Sequence, residues 1–321
     1  MELGTNKLSR NPAAHMGLPS TGSGRTVKET PSVRGELIEP TNEIVTEQPL
    51  DLAATLESGQ AHRWRREGGW FSGVVQGNFI KIRQLGQRIE FRSQPWPQST
   101  VTPLLHSYLR LDDDIHAIQA EIGRDPRVSK MISLYPGLRL LRIEPWECLI
   151  SFICSANSNI SRIHQNMETL AQHYGDPIAM DGQVRHTFPT PAQLAEAGEA
   201  ELRRLGLGFR APYVDQATRS VMEGRLDLTG LIRMPYSEAK ERLMECRGIG
   251  PKIADCVAVF SLEKLEAFPI DVWVRRALGE WYFTGEKTPA DRVLLEWAQG
   301  HFGRYGGYAQ QYLFHGRRMG G

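Results

Sequence analysis

Between about residue 36 and residue 100 the chain consists of short segments in which apolar and polar residues alternate. The segments 71–75, 79–82 and 89–91 are rich in Phe, Ile and Val, and glycine-containing turns separate them. Short alternating segments at this spacing predict an antiparallel β meander, in which successive strands pair through tight turns.

From residue 102 onward, apolar residues recur every three or four positions, as at Leu104, Leu105 and Tyr108. This period is typical of amphipathic helices, and Pro- or Gly-containing breaks separate such segments almost to the end of the chain. The predicted fold class is therefore α+β, with a small antiparallel β domain at residues 34–105 and a larger all-helical region at residues 106–321. Residues 1–33 are rich in Gly, Pro, Ser and Thr, so we expect a flexible tail there.

The composition excludes some classes of protein without selecting one. Of the 321 residues, 40% are hydrophobic and 23% charged, as in ordinary globular proteins, and no apolar run is long enough for a membrane span. The formal net charge of +1 neither predicts nor excludes nucleic-acid binding, because backbone amides at helix N-termini can hold phosphates. The four cysteines lack the spacing of a zinc or iron–sulfur site, so we expect reduced thiols in a cytosolic protein without metal or cofactor.

A helix-hairpin-helix motif is predicted at residues 237–262. Ser237 is placed to cap a helix at residues 238–246, and Pro251 suits the first position of the next helix, where its missing N–H would be unpaired anyway. A tight turn with positive φ is predicted for the three residues between them, Gly248, Ile249 and Gly250. The free amides that follow can bind one phosphate, although an ordinary helical hairpin without a ligand fits the pattern equally well.

Lys252 is the second residue of the helix that follows this turn. The helix dipole and burial both disfavour an ammonium there, and a neutral amine is a nucleophile suited to Schiff-base chemistry. Cys256 lies four residues later on the same helix face, and Asp271 directly precedes the helical run 272–278. Taken singly, Lys252 could be a solvated surface lysine and Asp271 a purely structural helix cap.

Residues 245–256, with the sequence ECRGIGPKIADC, and residues 268–272, FPIDV, resemble the helix-hairpin-helix DNA glycosylases that have a Gly/Pro-rich loop and a catalytic aspartate. Three further segments, at residues 58–64, 144–160 and 205–211, are similar to the eukaryotic-type 8-oxoguanine glycosylase branch. The resemblance runs from about residue 45 to the end. It implies a monomeric, cofactor-independent glycosylase and abasic-site lyase that excises 8-oxoguanine opposite cytosine from duplex DNA in base excision repair.

The resemblance also implies roles for individual residues. Lys252 corresponds to the nucleophile that attacks C1′ and forms the Schiff base, and Asp271 to the carboxylate that assists formation of the sugar cation. Around the extruded base, it implies that Phe314 and Cys256 form the two faces of a sandwich. Gln310 would read the Watson–Crick edge, and the carbonyl of Gly59 would accept a hydrogen bond from N7–H, which guanine lacks.

In the duplex, Asn157 corresponds to the residue that fills the space left by the base. The resemblance implies that Arg162 and Arg210 hydrogen-bond to the orphaned cytosine, and that Phe209 stands where the family usually has a tyrosine wedge. Trp273 departs from the family, which commonly has histidine at that position, and this puts its phosphate contact in doubt. A further implied feature is an ammonium–thiolate pair between Lys252 and Cys256.

Two alternatives remain open from the sequence. The first is a helix-hairpin-helix glycosylase for another damaged base, although the missing cysteine cluster disfavours the endonuclease III-like branch and Lys252 disfavours the alkylpurine enzymes. The second is a catalytically silent module that binds DNA only through the hairpin. For a DNA repair enzyme the expected location is the cytoplasm or nucleoid of a bacterium, or the nucleus of a eukaryote.

Overall fold

The N-terminal part of the described chain is an antiparallel sheet. The computed structural model describes residues 42–285 and 287–320, so the predicted tail at residues 1–33 lies outside the described residues. The five strands of this sheet, in chain order, are β1 (Asn42–Val45), β2 (Arg65–Glu67), β3 (Trp70–Val75), β4 (Asn78–Leu85) and β5 (Arg88–Gln94).

The order of the strands in the sheet is β1-β5-β4-β3-β2, and every pair is antiparallel. Strands β2 to β5 form the predicted meander, and β1 adds to it at the β5 edge. The sequence analysis missed β1 and β2, which are short and only partly buried. The turn between β3 and β4 has positive φ at both Gln76 and Gly77, as a two-residue hairpin requires.

The rest of the described chain is mainly helical, which confirms the predicted fold class. No helix in residues 42–285 and 287–320 is long and apolar enough to cross a membrane. The α-helices are α1 (Leu52–Leu56), α2 (Gln98–Tyr108), α3 (Ile115–Ile122), α4 (Pro126–Leu134), α5 (Pro145–Cys154), α6 (Ile160–Tyr174), α7 (Pro191–Ala195), α8 (Gly198–Leu202), α9 (Ala211–Met222), α10 (Leu228–Arg233), α11 (Tyr236–Met244), α12 (Pro251–Ser261), α13 (Val272–Trp281), α14 (Asp291–Phe302) and α15 (Gly306–Arg318).

The sequence analysis predicted an all-helical region after residue 105, and this prediction is wrong in one place. A two-stranded hairpin, β6 (Pro177–Met180) and β7 (Gln183–His186), interrupts it. Asp181 and Gly182 both have positive φ in its turn, and the Asp181 carboxylate lies 3.2 Å from both Lys81 on β4 and Arg92 on β5. The hairpin therefore ties the helical region to the sheet.

Three helices form the centre of the molecule and position the site. Helices α5 and α12 pack side by side, with the rings of Phe152 and Phe260 stacked at 5.4 Å. Helix α15 packs against α13 and α4 and is buried along most of its length. One continuous apolar cluster joins these helices to the sheet, and the domain division at residues 105 and 106 stays a prediction.

Candidate active site

A cleft of about 760 Å³ opens between α5, α12, the start of α13 and α15. Eight of the residues singled out in the sequence line it, although they come from separate parts of the chain. These are Gly59, Asn157, Lys252, Cys256, Asp271, Trp273, Gln310 and Phe314.

Lys252 reaches into this cleft from the first turn of α12. Pro251 occupies the first position of the helix, as predicted, and Lys252 follows it. The Lys252 Nζ donates to Ser155 Oγ over 3.0 Å and lies 5.2 Å from the centre of the Phe152 ring. The amine is half-buried and is held in place from α5 and its C-terminal turn.

The turn before α12 joins two helices, as the sequence predicted, but the first helix differs in detail. Helix α11 covers Tyr236–Met244 and follows Pro235, whereas Ser237 had been predicted to cap a helix at residues 238–246. Pro235 holds an extended conformation, with ψ of 151°, which starts the helix earlier and places Ser237 inside its first turn. Ile249 is buried beneath the turn.

The two glycines of the hairpin are not equivalent. Gly248 has a φ of +92°, and a Cβ there would lie 2.4 Å from Cγ of Tyr213. Gly250 has a φ of −89°, and a Cβ there would have no heavy atom within 4 Å. Only Gly248 therefore has both the positive φ and the close approach expected for this turn.

We expect Gly248→Ala to weaken the hairpin and Gly250→Ala to leave it intact. The alanine at 248 adds a left-handed penalty of about 1–2 kcal/mol to its collision with Tyr213, whereas the alanine at 250 costs about 1 kcal/mol at most as a poorer helix cap. Thermal unfolding and binding to an undamaged duplex measure the two effects. Equal loss of binding in both variants would show that the turn conformation does not matter.

Asp271 caps α13 in the way the sequence predicted. Its Oδ1 accepts hydrogen bonds from the backbone N–H groups of Trp273, at 3.0 Å, and Val274, at 2.8 Å. Burial raises the pKa of the Asp271 carboxyl above its ordinary value, while these backbone donors and the charge of Lys252 act in the opposite direction. The cap therefore holds a partly desolvated carboxylate in the same cleft as Lys252.

The ammonium–thiolate pair suggested for Lys252 and Cys256 stays a prediction, and burial of the thiol acts against it. Cys256 is buried on α12, and burial raises the pKa of its thiol to about 12, in spite of the opposing charge of Lys252. Burial therefore favours the neutral thiol, which adds a small apolar surface to the cleft.

The opposite wall of the cleft is α15 and the loop that it holds. Gln310 is buried, and its Oε1 has no hydrogen-bond partner among the described residues. Gly59 has a φ of +80°, and a Cβ there would lie 3.4 Å from Cε1 of Phe314. Gln311 donates from Nε2 to the carbonyl of Ser58 over 3.1 Å, so α15 fixes the loop next to Gly59.

Asn157 stands at the mouth of the cleft in a conformation fixed by Arg210. Its φ is +49°, and Arg210 donates to the carbonyls of Ala156 and Asn157. The ring of Phe209 is half exposed and lies 4.4 Å from the Arg210 guanidinium carbon. Arg162 is exposed and donates to the carbonyl of Gly206 over 2.7 Å. These residues flank the cleft but, apart from Asn157, do not line it.

Several cleft residues were missed by the sequence analysis, including Phe152, Ser155, His62 and Arg318. Both ring nitrogens of His62 are buried and have no partner in the described part of the chain, and desolvation lowers the pKa of the imidazole to about 3, so this histidine is neutral. His62 had been left unassigned because a lone histidine gives no signal. Arg318 could have been found from its spacing, since it lies four residues after Phe314 on the same helix face.

Trp273, at which the sequence departs from the family that it resembles, lies at the rim of the cleft. Its side chain is 38% exposed, and the guanidinium carbon of Arg276 lies 5.7 Å from its ring centre. An indole has one N–H donor and remains uncharged, so it binds a phosphate more weakly than a protonated histidine does. No group of three or more metal-ligating side chains occurs within the described part of the chain.

Comparison with known families agrees with this geometry. Residues 44–149 match the 8-oxoguanine DNA glycosylase N-terminal domain, and residues 150–298 match the HhH-GPD superfamily of base excision DNA repair proteins. The chain belongs to the 8-oxoguanine DNA glycosylase branch of this superfamily. It is therefore a DNA glycosylase and lyase by family, and the cleft lies where α12 and α13, both within the HhH-GPD match, meet α5 and α15.

Several named relatives match most of the length of this glycosylase. A probable N-glycosylase/DNA lyase of Methanothermobacter thermautotrophicus is 32% identical, with 84% of this chain and 95% of the relative covered. The N-glycosylase/DNA lyase of Saccharomyces cerevisiae is 33% identical, with 84% of each chain covered. The Clostridium acetobutylicum 8-oxoguanine glycosylase/lyase, solved with double-stranded DNA containing cytosine opposite 8-oxoG, has a TM-score of 0.81 at 27% identity, covering 88% of this chain and 99% of that one.

Proposed function

We propose that this glycosylase is a bifunctional enzyme that excises 8-oxoguanine opposite cytosine from duplex DNA and cleaves the resulting abasic site through a Lys252 Schiff base. One observation carries the proposal. Lys252 and Asp271 share a cleft with Gly59, whose backbone carbonyl can accept a hydrogen bond. Gln310, whose amide oxygen has no partner among the described residues, lines the same cleft. The cleft therefore offers a nucleophile, an electrostatic partner and groups that can read the edge of a base.

The reaction uses the side-chain amine of Lys252 as the nucleophile. Its lone pair forms a bond to C1′ as the C1′–N9 bond breaks, and the electron pair of that bond leaves with the base, which takes up a proton. The Asp271 carboxylate stabilises the positive charge that develops on the sugar. The attacking nitrogen passes a proton to the departing base. Cleavage of the C1′–O4′ bond, with protonation of O4′, then converts the amine adduct into the Schiff base. Removal of a C2′ proton then expels the 3′ phosphate, and water releases Lys252.

A base can reach Lys252 only outside the helical stack, so recognition happens in the cleft. Phe314 and Cys256 supply apolar faces, and the neutral thiol of Cys256 suits contact with an aromatic ring. The carbonyl of Gly59 accepts N7–H of 8-oxoguanine, whereas it would face a lone pair in guanine. The buried Oε1 of Gln310 accepts from a donor on the Watson–Crick edge.

On the duplex, we assign Asn157 to the space left by the base, and Arg162 and Arg210 to the orphaned cytosine. Phe209, half exposed, packs against the neighbouring bases. The hairpin of Gly248, Ile249 and Gly250 holds a phosphate through its backbone amides. Every group in this scheme comes from one chain, which fits a monomer. The enzyme works where chromosomal DNA lies, in the nucleoid of a bacterium or the nucleus of a eukaryote.

A panel of duplexes tests the substrate. We expect excision of 8-oxoguanine opposite cytosine to exceed excision of hypoxanthine and of thymine glycol by at least about tenfold, because a cleft that pairs with N7–H and the Watson–Crick edge leaves buried groups unpaired with other bases. Single-turnover product formation measures this. Preference for thymine glycol or hypoxanthine would favour another glycosylase activity, and damage-independent binding without cleavage would indicate a silent DNA-binding module.

A further inference from the structure

Arg318 is the last residue of α15 and has an unusual environment. Its Nη2 donates to the carbonyl of Glu57, but its Nη1 is buried without any hydrogen-bond partner among the described residues. Burial lowers the pKa of the guanidinium, which remains charged at neutral pH all the same. A buried, charged donor without a partner is costly, so a partner is expected to arrive with a ligand.

The unpartnered nitrogen lies beside Gly59. Arg318 lines the cleft, and Nη1 would lie 3.3 Å from a Cβ at Gly59. The guanidinium carbon lies 5.9 Å from the centre of the Phe314 ring. Nη1 therefore lies beside Gly59, the residue whose backbone carbonyl would meet N7–H of an extruded base.

The order of side chains along α15 indicates which part of the base Arg318 meets. Gln310, Phe314 and Arg318 are spaced by four residues and so form one row on the helix face. If Gln310 reads the Watson–Crick edge and Phe314 lies against the ring, Arg318 comes at the opposite, imidazole end of the purine. This step rests on the proposed function, because it uses the orientation that function requires.

We propose that Arg318 is a specificity-determining residue, whose Nη1 donates to the C8 carbonyl oxygen of 8-oxoguanine. Together with the Gly59 carbonyl it forms an acceptor–donor pair that matches N7–H and C8=O on the oxidised edge. Guanine has a C–H group at C8 and a lone pair at N7, so against guanine the Gly59 carbonyl would face a lone pair and Arg318 would lose its acceptor at C8. Loss of a charge-assisted bond makes that mismatch costly.

Arg318 also holds the loop through Glu57, so a simple loss of activity would not establish the contact. The decisive comparison uses duplexes with 8-oxoguanine and with 8-thioguanine, each opposite cytosine. Both bases keep N7–H, but the thiocarbonyl sulfur is the weaker hydrogen-bond acceptor. We expect Arg318→Met to reduce the preference of the enzyme for the oxo base over the thio base by about tenfold.

Two controls accompany this measurement. Arg317→Met changes the neighbouring arginine, which pairs with Glu280 over 2.9 Å and does not line the cleft, and it should leave the preference unchanged. Cleavage of a preformed abasic site, which has no base to read, should be equal in Arg318→Met and the unmodified enzyme. Equal abasic-site cleavage also shows that the variant folds.

Other outcomes overturn the inference in distinguishable ways. If Arg318→Met slows excision of both bases by the same factor, Arg318 only positions the loop. If the rates do not change at all, Arg318 has no part in recognition. If the unmodified enzyme excises neither base, the proposed function itself fails, whatever the variant does.

Discussion

Replacing Lys252 with glutamine is expected to abolish both base excision and strand cleavage. Glutamine is similar in length and can still donate to Ser155, so the packing of the cleft should change little. It has no basic amine, however, and no Schiff base can form. Loss of a covalent nucleophile typically costs about 10⁴-fold or more in rate.

Borohydride trapping measures the loss of the covalent intermediate directly. The unmodified enzyme, incubated with borohydride and a duplex containing 8-oxoguanine opposite cytosine, should give a stable protein–DNA adduct, and Lys252→Gln should give none. Lys130→Gln, an exposed lysine of α4 outside the cleft, is a matched control that should trap normally. An adduct with Lys252→Gln would mean that another amine is the nucleophile.

Replacing Asp271 separates its charge from its role as a helix cap. Asparagine caps helices about as well as aspartate, so Asp271→Asn should keep the hydrogen bonds to Trp273 and Val274. The variant loses the negative charge beside the developing sugar cation, for which we expect a fall of about 10²–10³-fold in excision. Asp271→Ala should lose the same activity and in addition about 1 kcal/mol of stability.

The pH dependence provides a second test of Asp271. Burial raises the pKa of its carboxyl, and the reaction needs the ionised form. Activity should therefore decline on the acid side at a higher pH than an ordinary carboxyl of pKa about 3.9 would give. Single-turnover rates between pH 4 and pH 8 measure this decline, and thermal unfolding measures the stability lost in Asp271→Ala. If Asp271→Asn were as active as the unmodified enzyme, Asp271 would be only a cap.

The most regular patterns in the sequence predicted the fold best. The short apolar segments at residues 71–91 predicted β3, β4 and β5, because glycine-containing turns separate them, although β3 is buried on both faces and only β5 alternates clearly. The sequence analysis missed the hairpin β6–β7 because each of its strands has only four residues. The Asp181–Gly182 pair in its turn is nevertheless a strong hairpin signal, so this signal was present and was passed over.

Local sequence motifs predicted where the site residues lie on their helices, but not how burial changes their charge and hydrogen bonding. The Pro251–Lys252 helix start and the Asp271 cap depend on neighbouring residues, so both could be predicted from sequence. The pKa of the Cys256 thiol depends on burial by helices distant in the chain, so the local motif could not show the rise that burial causes. The orphaned nitrogen of Arg318 likewise arises only when α15 folds over the loop at Glu57.

The burial of the cysteines affects how readily peroxide can oxidise the enzyme itself. All four are buried, and burial raises the pKa of every thiol, to about 12 at Cys154 and Cys256. Peroxide attacks thiolates far faster than protonated thiols. An enzyme that removes oxidised guanine is needed most when peroxide is abundant, and burial slows the reaction of its thiols with that oxidant.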